Sequence, residues 1–219
     1  MKNKPELGNG IFTVPEASII LDIPSYKINR WLSKYWEMDF QDKNVYTWGR
    51  DKDRGFNFYT LMELIAVYSF RTVGLSFFKI KEAHKILGNI LKTHYPFATS
   101  RLLTDGKNIL WDSKKDLMIL TKKKQYVFKA IIEPYCKNID FNDQTYLAKR
   151  YWPLGKKHSI VVDPHHGFGQ PTIQGTNISV FSLIQYIESG ESMNSISKLF
   201  NIKLKEVRDV VLFNDRIAA

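Results

Sequence analysis

The chain has one cysteine, Cys136, in 219 residues. That excludes an internal disulfide and any cysteine-based zinc cluster, and makes the cytoplasm the expected setting. No apolar run approaches the ~18 residues that a membrane-spanning helix needs, so no membrane partner is expected. The opening residues, MKNKPELGNG, lack the apolar stretch of a secretory signal. Linkers rich in glycine and serine are missing, and no internal repeat is visible. There is no Gly-x-Ser-x-Gly elbow, no phosphate loop ending in Gly-Lys-Ser/Thr, and no motif that pairs two carboxylates. No catalytic residue, no cofactor and no enzymatic activity are expected.

What is present is apolar content of 44% and aromatic content of 14%, enough to bury a real core. The net charge of +10 is unevenly spread. Residues 1–92 carry 14 lysines and arginines against 10 acids, residues 93–157 carry 13 against 6, and residues 158–219 carry 5 against 6. A basic front and middle with a neutral tail suits a protein that touches nucleic acid with one part and another partner with the rest.

The front reads as helices with clear ends. Thr13-Val14-Pro15-Glu16 is a capping box with proline in the first turn, and Ala17, Ile20 and Leu21 follow at helical spacing. Asp22-Ile23-Pro24 breaks that helix. Ser25 is expected to cap a second one, from Tyr26 to about Trp36, with Ile28, Trp31 and Leu32 inward. Two short helices joined this tightly form a helix-turn-helix. Val45–Trp48 and Phe56–Phe58 read as a hairpin around Gly49–Gly55. Thr60-Leu61-Met62-Glu63 reads as a second capping box opening a helix to Thr72. Gly74 ends it, and Ser76 caps another from Phe77 to about Leu91.

On the second helix Ser25, Tyr26, Lys27, Asn29, Arg30 and Lys34 form the candidate DNA-binding set. Lysine and arginine neutralise phosphate, and asparagine and arginine read base edges in the major groove. Competing readings pair Arg30 with Asp22 and place Tyr26 in the core. Arg50 and Arg54 in the hairpin are candidate backbone contacts, with Asp51 and Asp53 diluting their charge.

In the middle, Asp105-Gly106 predicts a hairpin between Arg101–Thr104 and Asn108–Trp111. Leu117–Leu120 reads as a strand, Tyr126–Tyr135 as a helix, and Ile139–Phe141 and Ala148–Trp152 as two more strands. In the tail, Asp163-Pro164, Gly167, Gly169, Pro171 and Gly175-Thr176 punctuate single β-like steps at Ile160–Val162, Thr172-Ile173 and Asn177-Ile178. Three helical runs follow: Phe181–Glu188, Met193–Phe200 and Lys205–Val211. His158, Asp163, His165 and His166 do not make a convincing metal site. Adjacent histidines point apart, and neither an i,i+4 pair nor a cysteine joins them. Cys136 reads as a buried structural thiol.

The front, through Thr13, Pro15-Glu16-Ala17, Ile23-Pro24-Ser25, Arg30-Trp31, Phe58–Leu64 and Gly74-Leu75-Ser76 with Ile80-Lys81, resembles the winged helix-turn-helix of MerR-type regulators. One departure is that Gly55-Phe56-Asn57-Phe58 carries no arginine where that family's return strand has one. The tail pattern D-P…G-x-P-x-I-x-G-T-x-I with its three helices resembles the bacterial antitoxin family known as domain of unknown function four-three-three. Together they are similar to antitoxins of the VapBC type. The expected fold is α+β, mainly α. A MerR-like DNA-binding domain would occupy 1–92, a basic connector 93–157, and an antitoxin domain 158–219.

The resemblance implies a type II antitoxin that inhibits a PIN-like ribonuclease toxin and represses its own operon as a homodimer on double-stranded DNA. It implies an acidic metal cleft on the toxin. Arg150, Lys156 and Lys157 are the nearest cations of the basic segment and the candidate toxin-binding residues. The alternatives are a MerR-type regulator sensing a small ligand and a mobile-element protein that bends DNA.

Overall fold

The computed structural model describes residues 8–36, 46–49, 53–100 and 133–218, and within them the fold is mixed α+β and mainly helical. The hairpin expected at 101–111, the strand at 117–120 and most of the helix at 126–135 lie outside the described residues, as does Arg50.

The capping box at Thr13 forms. The Thr13 amide donates to Glu16 Oε2 at 2.7 Å, and the Glu16 amide donates to Thr13 Oγ1 at 3.4 Å. It opens α1 (Val14–Leu21), which ends at Asp22 in the left-handed conformation, φ 57°. Helix α2 (Ser25–Trp31) continues as one wide turn over Leu32–Trp36. Ser25 is not its cap. Pro24 holds that place, and its carbonyl accepts from the Lys27 amide at 2.9 Å, so Ser25 is already the first helical residue.

A three-stranded antiparallel sheet packs beside these helices in the order β1 (Phe12–Thr13), β3 (Gly55–Phe56), β2 (Thr47–Trp48). Strand β1 was not expected, because two residues leave no alternation to read. Helix α3 (Phe58–Thr72) begins two residues before the expected Thr60 cap. Asn57 takes the role, with its Oδ1 accepting from the Thr60 amide at 2.9 Å, while the Thr60 hydroxyl donates to the Tyr46 carbonyl. Thus Phe58 is helical, not the end of the return strand. Gly74, at φ 85°, closes the turn into α4 (Phe77–Leu91), which Ser76 caps as expected.

The first core gathers Phe12, Ile20, Ile28, Leu32, Phe56, Phe58 and Leu61, all fully buried. It extends through Phe97 to Ile139, Ala148 and Tyr151, which lie on the antiparallel pair β4 (Ile139–Phe141) and β5 (Ala148–Tyr151). The described part of 93–157 therefore shares the front's core. A second core belongs to the tail: the ribbon β6 (Ile160–Val161) and β7 (Thr172–Ile173), then α5 (Val180–Glu188), α6 (Met193–Phe200) and α7 (Leu204–Ala218). The turn lies at Gln174-Gly175; Asn177-Ile178 forms no named strand, but the Ile178 carbonyl accepts from the Ile173 amide at 3.1 Å and Thr172 bridges Ser179. Helix α7 outruns its expected end because Val207, Val210 and Phe213 continue one buried stripe.

Tail and front are stitched together. The Ile11 amide donates to the Phe168 carbonyl at 2.9 Å, and Gln170 Nε2 donates to Glu16 Oε1 at 2.7 Å. Tyr151 and Val162 exchange backbone bonds at 2.9 and 2.8 Å. Arg216, on α7, reaches the carbonyls of Ile19 and Ile20 at the end of α1.

Candidate nucleic-acid interface

The turn between α1 and α2 fixes how α2 is presented. The Ser18 hydroxyl donates to the Ile23 carbonyl at 2.7 Å, and the Ile23 amide donates back to Ser18 at 3.2 Å. Ile23 and Ile28 are buried beneath it. The opposite face of α2 is open. Tyr26 is 67% exposed, and Asn29, Arg30 and Lys34 are exposed beside it. Ser25 and Lys27 are half-buried, with Lys27 Nζ 5.7 Å from the centre of the Tyr68 ring. Tyr26 is thus a surface residue and not core. Five of the six helix candidates carry polar side chains that can bond to phosphate or a base edge, and the sixth, Tyr26, adds a phenolic hydroxyl.

The hairpin is built by two glycines. A side chain at Gly49, φ 70°, would meet the Asp53 carbonyl at 2.2 Å, and one at Gly55 would meet the Trp48 indole at 2.3 Å. Of the two candidate arginines, only Arg54 falls within the described residues. Arg54 is buried at 8% exposure and donates through Nη1 to Asn29 Oδ1 at 3.3 Å. It braces the hairpin against α2 rather than projecting outward.

The three cations of the basic segment have distinct settings. Arg150 Nε lies 2.7 Å from Asp163 Oδ2, and Lys156 Nζ lies 2.7 Å from Asp140 Oδ1. Lys157 is exposed, and its carbonyl accepts from Lys205 Nζ at 3.2 Å. The histidines do not converge. His158 Nδ1 meets Asp209 Oδ1 at 2.7 Å, His166 Nε2 meets the Thr176 carbonyl at 2.9 Å, and the His165 amide donates to Asp163. Among the described residues, no group of three or more His, Cys, Asp or Glu side chains is placed to hold a metal ion. Burial pushes the Cys136 thiol up to about 12, an unreactive state. No described helix is long and apolar enough to cross a membrane.

Asp209 escaped the sequence reading, since a lone acid on a helix reads as surface. It is 5% exposed, and besides His158 it accepts from the Ser159 amide and hydroxyl, each at 2.8 Å. Burial alone would raise its pKa, but the His158 and Ser159 bonds outweigh it and hold the carboxyl below its ordinary value of 3.8. Asp140 is lowered in the same way, burial being outweighed by Lys156 and Trp152. A depressed folded pKa gives stability that is present above the unfolded value and lost as pH falls through the folded one. Urea midpoints should therefore drop below about pH 4, and Asp209→Asn should flatten that acid limb. An acid limb of unchanged steepness in Asp209→Asn would remove Asp209 from the account.

Comparison with known proteins places these features. Residues 160–213 match the family model described as "Protein of unknown function (DUF433)". The chain is also 27% identical, over 174 residues, to "Putative antitoxin VapB45" of Mycobacterium tuberculosis (strain ATCC 25618 / H37Rv), across 74% of this chain and 71% of that protein. Its structure is similar to the crystal structure of Rv2018 from Mycobacterium tuberculosis, with a TM-score of 0.73, 23% identity, and coverage of 96% of this chain and 100% of that one. The last likeness is one of fold.

Proposed function

We propose that this chain is the antitoxin of a type II toxin–antitoxin system. It represses its own operon through a MerR-like winged helix-turn-helix in residues 1–92, and it binds and inhibits a PIN-like ribonuclease toxin through residues 158–219, aided by cations of the basic connector at 93–157. The observation that carries this reading is the 27% identity, across 74% of the chain, to a protein named "Putative antitoxin VapB45". The open polar face of α2 beside a β-hairpin supports the DNA-binding half. Helix α2 would enter the major groove, with Lys27 and Lys34 on phosphates and Asn29 and Arg30 toward base edges. Two chains would read an inverted repeat, since two-fold proteins match two-fold sites. For the toxin, Lys157 is the cation best placed to approach an acidic cleft, while Arg150 and Lys156 would first have to leave Asp163 and Asp140.

Co-purification from the native operon tests the class. Recovery of a stoichiometric small nuclease supports the antitoxin, and its absence when both genes are expressed removes it. For DNA, Lys27→Ala with Lys34→Ala should weaken promoter binding and lower the slope of log affinity against log salt by about 0.9 per lost phosphate contact. A folded variant with wild-type affinity and slope would rule out α2 as the reader.

A further inference from the structure

The two ends of the chain hold the same helix-turn-helix at a constant offset of 179 residues, a repeat that the sequence reading did not find. Thr13 and Ser192 cap α1 and α6, each eight residues long. Asp22 and Asn201 end them in the left-handed conformation, at φ 57° and 51°. The Ser18 hydroxyl donates to the Ile23 carbonyl at 2.7 Å, and the Ser197 hydroxyl donates to the Ile202 carbonyl at 2.6 Å. The returning amide bonds measure 3.2 and 3.0 Å. Ala17 and Ile196, Ile23 and Ile202, and Ile28 and Val207 are buried in register. From Thr13 to Ile28 only Ser18 and Ile23 are identical to their counterparts, so the repeat is carried by capping and turn chemistry.

In register, α7 is the counterpart of α2, and its surface tells what it can do. The positions of Arg30 and Lys34 are taken by Asp209 and Phe213. Asp209 is bonded to His158 and Ser159, and Phe213 is fully buried in the tail's core. Those two positions are closed to a groove. The positions of Tyr26 and Asn29 are taken by Lys205 and Arg208, both exposed, and Arg208 forms no ion pair among the described residues. Lys205 also reaches the backbone of Lys157, which brings a third exposed cation alongside.

We propose that this second helix-turn-helix holds duplex DNA by its phosphates alone, through Lys205 and Arg208, next to the site that α2 reads. The inference rests on the DNA-binding reading above. Exposed cations beside closed base-reading positions place a protein on DNA without specifying sequence. The reach is suitable. Arg216 touches the end of α1, just ahead of α2, and Lys205 stands eleven residues back, roughly 16 Å along the helix at 1.5 Å per residue. That is about half of the ~34 Å helical turn of DNA, within reach of flanking phosphates on one duplex.

The test uses the full chain, its promoter duplex and a scrambled duplex of equal length, titrated by fluorescence anisotropy over a salt series. Lys205→Ala with Arg208→Ala should lower the salt slope by about 1.8, at about 0.9 per contact, on both duplexes alike. Lys205→Arg with Arg208→Lys should restore it, and thermal unfolding should show an intact fold in each. Wild-type affinity and slope in the alanine pair would overturn the proposal, as would unchanged DNA binding with lost toxin capture. If the wild-type chain binds neither duplex, the DNA reading itself fails and takes this inference with it. If only the promoter-specific increment falls, α7 reads bases and the phosphate-only assignment is wrong.

Discussion

Glu63→Ala is expected to destabilise the fold by about 2–4 kcal/mol, from an orphaned buried amide and the cavity left behind. Glu63 is fully buried in the first core. Its Oε2 lies 2.9 Å from His84 Nε2 on α4, and its Oε1 accepts from the Phe97 amide at 2.8 Å. One carboxylate thus ties α3 to α4 and to the turn at Pro96–Ala98. Alanine would leave the Phe97 amide, which is buried, without its acceptor, at a cost of about 1–3 kcal/mol for that group alone. It would also open a cavity at a fully buried position. Glu63→Gln keeps the acceptor for Phe97 and should recover much of the loss. Urea unfolding of the three proteins decides it. An alanine variant within 0.5 kcal/mol of wild type, the usual scatter of surface substitutions at about that size, would show that the network is dispensable.

Glu63 also shows what a sequence can hide. Read locally, Thr60-Leu61-Met62-Glu63 has the spacing of a capping box, and the helix does begin nearby. The structure gives the cap to Asn57 and sends Glu63 into the core, because its partners lie 21 and 34 residues away in the chain and no local pattern names them. The Thr13 box was legible for the opposite reason: all its bonds close within three residues. The same contrast runs through the candidate interface. Exposure of Asn29, Arg30 and Lys34 follows from the helical period of Ile28, Trp31 and Leu32, which local spacing reports. The inward placement of Arg54 goes with its bond to Asn29, 25 residues away on α2, which local spacing does not report. Strand β1 exists only because β3 is there to pair with it. The second helix-turn-helix was missed because its equivalences are of role: serine for threonine, asparagine for aspartate, valine for isoleucine.

Arg216→Ala should loosen the tail's hold on the end of α1, and it is the substitution from which the widest change in dynamics is expected. Arg216 Nη1 donates to the Pro153 carbonyl at 2.8 Å, and Nη2 donates to the Ile19 and Ile20 carbonyls at 3.2 and 3.0 Å. The guanidinium also stands 5.0 Å from the Phe213 ring. The carbonyls at the end of α1 have no partner within that helix, and a cation there meets the negative end of its dipole. A planar fork can serve both residues while still holding Pro153, which an ammonium cannot match. Loss of these charge-assisted bonds should cost about 2–3 kcal/mol. The cost should fall unevenly. Amide exchange should quicken at Ile23, Lys27 and Ile28, whose bonds set the entry to α2, while the β4–β5 pair stays protected. Arg216→Lys should fall between alanine and wild type. Were alanine to leave both the unfolding midpoint and the exchange at α2 unchanged, the tail would be a passenger on the front. Quickened exchange at α2 with the tail's own core intact would instead mean that whatever grips α7 also sets how firmly α2 is held. Among the ties between the two units, the one that sets α2 would then be Arg216 at the last turn of α1, with the bonds at Phe168, Gln170 and Val162 holding the rest.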